Sequence, residues 1–187
     1  MANKINFGLS NVHYAVITVE TDGTYTYDTP KRIPGAVSIS ESVQGQNTPF
    51  YADNGVYYNA SSNQGYELTA TFARIPDEFR VDVLGDTIVN GGLYENANGR
   101  QKQFALLFQI EGDETEDKFV YYNCTATRPG TSSSTRTDTT EPNTNELTIT
   151  AAPRTSDYAV RWITGATTEQ TIKDAFYDAV VEPVQLP

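Results

Sequence analysis

Between residues 65 and 85 the side-chain period changes within one short stretch, and few folds accommodate such a change. Tyr66, Leu68, Ala70 and Phe72 recur at every second position with Glu67, Thr69 and Thr71 between them, the pattern of a strand with one buried and one wet face. Pro76 then suits the first turn of a helix, where its missing N–H has no intrahelical partner to lose, and Asp77 and Glu78 put negative charge where the helix dipole favours it. Phe79 and Val83 fall four apart, and Gly85 can take the left-handed conformation that closes a helix. The stretch predicts a strand followed by a helix over about 76–84. A helix this short is marginal alone in water, so it must lie on a sheet.

The rest of the chain reads as strands. Residues 12–20 alternate, with His13, Ala15, Ile17 and Val19 on one face, and Asp22-Gly23 signals a tight turn before Thr24-Tyr25-Thr26-Tyr27. Residues 35–44 set Val37, Ile39 and Val43 against Ala36, Ser38, Ser40 and Ser42. Phe104, Leu106, Phe108 and Ile110 form an apolar, central strand, joined through the acidic turn 111–117 to another strand over 118–127. Leu147 and Ile149 alternate with Glu146, Thr148 and Thr150, and a short strand over 160–163 holds Trp162. Near the end, Thr167 with Gln170 offers a capping box, and Ile172, Ala175, Phe176, Ala179 and Val180 mark a helix over about 168–181, stopped by Pro183. At 187 residues, with 12 tyrosines and one tryptophan, the chain fits a single, mainly β domain over 1–187. Its expected core gathers Leu68, Phe72, Phe104, Leu106, Phe108, Leu147 and Ile149.

Residues 45–64 show neither period. Turn formers are mixed there with Phe50, Tyr51, Tyr57 and Tyr58. Loops longer than about 12–15 residues in a compact domain are usually functional or disordered, and disorder is typically poor in aromatics. We therefore expect a long loop that lies on another subunit, with Phe50, Tyr51, Asp53, Asn54, Tyr57 and Tyr58 at the interface.

Catalytic, cofactor-binding and metal-binding signatures are missing. His13 is the only histidine and no nucleophile turn accompanies it, so a structural role is expected. The single Cys124 falls on an apolar strand face and reads as a small buried hydrophobe. Asp113, Glu114, Glu116 and Asp117 offer oxygen ligands but lack the spacing and fixed glycine of an EF-hand loop. There is no phosphate-binding glycine motif. The reading is of a non-enzyme without cofactor or metal. A net charge of −11 makes nonspecific affinity for phosphate backbones poor. The N-terminal residues lack the features of a secretory signal and no stretch reaches transmembrane length, so no membrane association and production in a reducing cytoplasm are expected.

Five stretches, in order, resemble the major tail protein family of long-tailed, non-contractile bacteriophages. They are Ile33-Pro34-Gly35-Ala36-Val37-Ser38-Ile39-Ser40; Phe50-Tyr51-Ala52-Asp53-Asn54 with Tyr57 and Tyr58; Gly65-Tyr66-Glu67-Leu68 through Ile75-Pro76-Asp77-Glu78-Phe79 to Leu84-Gly85; Phe104-Ala105-Leu106-Leu107-Phe108; and Glu146-Leu147-Thr148-Ile149-Thr150-Ala151. The likeness covers about 1–165 and leaves the C-terminal helix outside. It implies a β-sandwich or barrel with a flanking helix, six copies per ring, and rings stacked into a tail tube. It further implies assembly around a tape-measure protein in the host bacterial cytoplasm, contacts with tail terminator and distal tail or baseplate proteins, and later passage of DNA through the lumen without specific binding. On that reading the polar set Glu67, Thr69 and Thr71 helps line the lumen. Two other readings fit the residues: a monomeric carbohydrate- or ligand-binding β-sandwich using its tyrosine-rich loops, and the inner tube of a contractile tail or secretion machine.

Overall fold

The computed structural model describes residues 4–21, 23–131, 133 and 143–182. The turn position Asp22, most of the threonine- and serine-rich connection, and the helix stop at Pro183 lie outside them. One antiparallel sheet dominates. Its strands are β1 (Asn6–Val19), β2 (Tyr25–Tyr27), β3 (Lys31–Arg32), β4 (Ala36–Ala52), β5 (Gly55–Phe72), then, after a small separate hairpin of β6 (Thr87–Val89) and β7 (Gly92–Tyr94), β8 (Phe104–Gly112), β9 (Asp117–Ala126), β10 (Asn145–Ala151) and β11 (Arg161–Ile163). The order across the sheet is β2-β1-β8-β9-β10-β5-β4, with β3 added to β1 and β11 to β9. β1 and β4, near opposite ends of this order, come into contact, so the sheet curls toward closure.

The concave face holds the core. Val12, Tyr14 and Val16 of β1, Phe104, Leu106 and Phe108 of β8, Leu147 and Ile149 of β10, and Leu68, Ala70 and Phe72 of β5 form one buried cluster. Every expected core residue is in it. The strand-to-helix stretch plugs this cluster: α1 (Asp77–Phe79) runs directly into a π-helical turn over Arg80–Leu84, and Phe79, Val83 and Leu84 are fully buried. Gly85 ends the helix at φ 77°, as expected; a β-carbon there would lie 2.6 Å from the Arg100 carbonyl oxygen. Polar ties fix both ends of the plug. The Tyr14 hydroxyl and the Lys31 ammonium both donate to Asp82, at 2.9 and 2.7 Å, while Asp86, buried, accepts from Arg80 and Arg128 at 2.9 and 2.6 Å.

On the convex face, a second cluster of Ala15, Ala105, Leu107, Val120 and Tyr122 is covered by Phe176 and the chain around it. The helix expected over 168–181 is much shorter here, α2 (Gln170–Asp174), and the capping box of Thr167 with Gln170 does not form: the residue before the helix is Glu169, which makes no side-chain cap, and the Gln170 side-chain amide instead donates to Asp174 at 2.8 Å. Contacts with the sheet compete with the helix. The Lys118 ammonium takes the Lys173 carbonyl at 2.7 Å, which a longer helix would give to the Tyr177 N–H, and the Tyr122 hydroxyl holds the Val181 carbonyl against the sheet at 2.9 Å. Arg154, buried, fastens the strap: it pairs with Asp157 and Glu182, donates to the Tyr27 hydroxyl at 3.1 Å, and lies over the Tyr122 ring.

A second correction concerns residues 45–64. They form no loop but the distal half of a hairpin in which β4 and β5 stay paired from Ala36↔Phe72 to Ala52↔Gly55. Periodicity is lost because neither face is buried, so nothing selects an alternation of apolar and polar residues.

Candidate functional site

The β4–β5 hairpin has two halves that differ in environment. Up to the Gln44↔Gly65 pair it belongs to the sheet, with β5 paired to β10 on its other side from Phe72 to Tyr66. Beyond that pair it projects alone, by about 25 Å at the usual rise per residue. From 45 to 64 every residue whose side chain is described is exposed, except the half-buried Ala52.

Two glycines build the departure point. The register skips between Gln44 and Gly45, a β-bulge, and Gly65 sits at φ +107°, where other residues are strained. A β-carbon on Gly65 would fall on the carbonyl oxygen of Ala151, and one on Gly45 on that of Ser62. Both positions admit only hydrogen. Sequence reading missed this pivot, although Gly45-Gln46-Asn47 and Gln64-Gly65 frame the non-periodic stretch.

At the far end Asp53 and Asn54 make the reversal, at φ 51° and 62°, as a two-residue turn with both φ values positive. The expected interface residues come together here. Phe50 pairs with Tyr58, Tyr51 with Val56, and Tyr57 is the extra residue of a bulge between them. Phe50, Tyr51, Val56, Tyr57 and Tyr58 are all at least 59% exposed. Five large apolar side chains displayed at the end of a free-standing, two-stranded hairpin are unusual, because such hairpins are marginal in water without support. β4 is also an edge strand with no partner on its outer side among the described residues, a position that tolerates Pro49.

Glu67, Thr69 and Thr71 point away from the core as expected, Glu67 exposed and both threonines half-buried. In register they are flanked by Ser42, Ser40 and Ser38 on β4 and by Thr150, Thr148 and Glu146 on β10. The convex face is therefore divided, with an apolar half under the C-terminal strap and a bare half of hydroxyls and carboxylates.

His13, Cys124 and Asp113 are each held by neighbours in the fold. The His13 ring stacks on Tyr177 at 4.4 Å and its Nδ1–H donates to the Asn11 carbonyl at 2.8 Å; burial lowers its pKa. Cys124 is buried in the main core, and burial pushes its thiol far above the usual range. Asp113 accepts from the Lys4 backbone N–H at 2.8 Å. Among the described residues no group of three His, Cys, Asp or Glu side chains is placed to hold a metal, and no helix is long and apolar enough to cross a membrane.

A family model described as phage tail tube protein matches residues 2–175, a span that contains all of α2 and so extends beyond the 1–165 of the resemblance. Among solved structures, the anti-feeding prophage cap, a tube-terminating cap determined by cryo-electron microscopy, is similar at 13% identity and a TM-score of 0.49 over 89% of this chain and 95% of that one. No curated protein matches the sequence.

Proposed function

We propose, for a chain that belongs to the phage tail tube protein family, that its copies close into rings, six per ring, which stack into a tube through the projecting hairpin. Membership makes it a structural protein of the virion that assembles with itself and with other tail components. The finer reading is that rings form in the host cytoplasm around a tape-measure protein. Terminator and distal tail or baseplate proteins then bound the tube, and DNA later passes through it. Within this reading the single domain carries one inter-subunit arm, residues 45–64, and the bare hydroxyl face around Glu67, Thr69 and Thr71 borders the lumen.

The observation that carries the proposal is the arm itself. Its exposed aromatic end is not covered by its own body, and buried aromatic anchors typically dominate protein interfaces. The open edge of β4 supports it too, since an uncovered edge of that length invites a strand from another chain. An acidic chain also suits a channel through which DNA slides without adhering.

The test is deletion of residues 48–63. It leaves Gly45-Gln46-Asn47-Gln64 as the turn joining the paired Gln44 and Gly65, so the body retains all its β5–β10 pairing. The variant is expected to be a folded, soluble monomer. Tubes forming from it as from the wild type would refute the assignment of assembly to the arm.

A further inference from the structure

The arm of one copy must be received by a surface on another, and the structure distinguishes the candidates. We propose that the receptor is the groove beside the β6–β7 hairpin, with Asp53 at the arm's tip pairing with Arg74 of the receiving copy. This rests on the arm's role in assembly argued above and names its docking site. Repeated head-to-tail contacts in a tube are heterologous, so the receiving patch differs from the arm.

Outside the arm, exposed large apolar residues occur close together in sequence at two places among the described residues, besides Val19, Val37, Val43, Tyr158 and Ile163, which are separate along the chain. Ile5 and Phe7 lie at the start of β1, next to Glu111 across the ladder and to Asp113, whose carboxylates repel Asp53. Ile88, Val89 and Tyr94 lie on the β6–β7 hairpin. That hairpin turns at Asn90-Gly91, both with positive φ, and forms its own two-stranded sheet apart from the main one. Like the arm, it is a marginal element that stands to gain from a partner.

Along β7, from the turn at Gly91 to Glu95, runs a groove of about 450 Å³ whose lining includes Arg74, Ile75, Arg80, Leu93 and Pro129. Its apolar lining is small: Ile75 is buried and Leu93 half-buried, so the aromatic rings of the tip are left to the exposed Ile88, Val89 and Tyr94 beside it. Charge decides the rest. Asp77 and Glu95 also line the groove, but Glu95 is 3.3 Å from Arg128, and Arg80 is committed to buried Asp86. Arg74 is different: its side chain is 81% exposed and, among the described residues, its one ion pair is with Asp77, at 3.5 Å. An exposed pair of that kind is weak, and a guanidinium with five N–H donors can accept a second carboxylate. On a chain with 13 basic residues against 24 acidic ones, an exposed arginine on a largely polar groove beside the exposed Ile88, Val89 and Tyr94 is the complement an acidic, aromatic tip requires.

Charge reversal tests the pairing. Asp53→Arg and Arg74→Asp are each expected to lower the yield of sedimentable tubes by about tenfold, and the double variant to recover most of it, because coupled charge pairs are non-additive. Both sites are exposed, so the monomers are expected to melt like the wild type. As a second measurement independent of charge, a mixture of Asp53→Cys and Arg74→Cys chains under mild oxidation should give a cross-linked dimer on a denaturing gel. Single variants that assemble normally, a double variant that fails to recover, or absence of the cross-link would overturn the receptor assignment. If deletion of residues 48–63 blocks tubes while Arg74→Asp does not, only the receptor is wrong; if that deletion leaves tubes intact, the arm's role itself fails.

Discussion

Replacing Gly65 by alanine probes the pivot on which the arm's direction depends. The backbone there has φ +107°, and holding a residue with a side chain in such a conformation costs about 1–3 kcal/mol. The new methyl would also meet a fixed wall, since its ideal position overlaps the Ala151 carbonyl oxygen and lies 3.1 Å from the carbonyl carbon. Backbone, unlike a flexible side chain, moves only by separating β5 from β10 near the Tyr66↔Ala151 pair. Loosening one ladder hydrogen bond adds about 0.5–1.5 kcal/mol. The expected total is about 2–4 kcal/mol, read as a lower urea midpoint with unchanged slope, at concentrations where the chain sediments as a monomer. Gly23→Ala is the control: it has φ +85° but nothing within 4 Å of its β-carbon position, so only the conformational cost of about 1–2 kcal/mol applies. If Gly65→Ala costs less than about 0.5 kcal/mol, or no more than Gly23→Ala, the argument from the Ala151 collision is wrong.

Phe108 lies flat on Phe119 at 5.0 Å and near Tyr121 at 6.1 Å, so Phe108→Ala should cost about 3–5 kcal/mol in thermal or chemical unfolding. Burial pushes the Asp86 carboxyl up, but the Arg128 and Arg80 guanidiniums outweigh it and hold its pKa below the usual aspartate value. A depressed carboxyl stabilises the fold above its unfolded pKa of about 3.9, and that stability is lost as pH falls further, through the folded value. Asp86→Asn should therefore cost about 2–4 kcal/mol at pH 7, below the full buried-pair value because both arginines are partly solvated, and should flatten the loss of stability below about pH 4. In assembled phage, Glu67→Lys repeated around a ring would create a basic collar that slows DNA ejection, most at low salt. Normal tails with unchanged ejection at every salt concentration would exclude that face from the DNA path.

What was legible in the sequence is what burial dictates. The alternation from Tyr66 to Phe72 and the four-residue spacing of Phe79 and Val83 correspond to side chains that reach the core, and the structure buries them there. The Phe104 strand and the Leu147 strand were legible for the same reason. The distal arm was not, because an unburied hairpin imposes no period, and its aromatics marked an exposed surface without revealing strand geometry. The β6–β7 hairpin left one signal, Asn90-Gly91, which the surrounding glycine- and asparagine-rich composition masked. The C-terminal segment misled in the opposite direction. Its spacing is helical, yet Lys118, distant in sequence, claims the Lys173 carbonyl a longer helix needs, and Tyr122 holds the segment's end at Val181. The Arg154 knot was similarly invisible, since its partners Tyr27 and Glu182 are joined only by the fold.

The most direct measurement of the central claim is electron microscopy of the purified wild-type chain, concentrated alongside the variant lacking residues 48–63. The account predicts rings of six copies and stacked tubes for the full chain, and dispersed monomers for the variant. A full-length chain that remains monomeric at every concentration, above all one that binds glycans in that state, would contradict it.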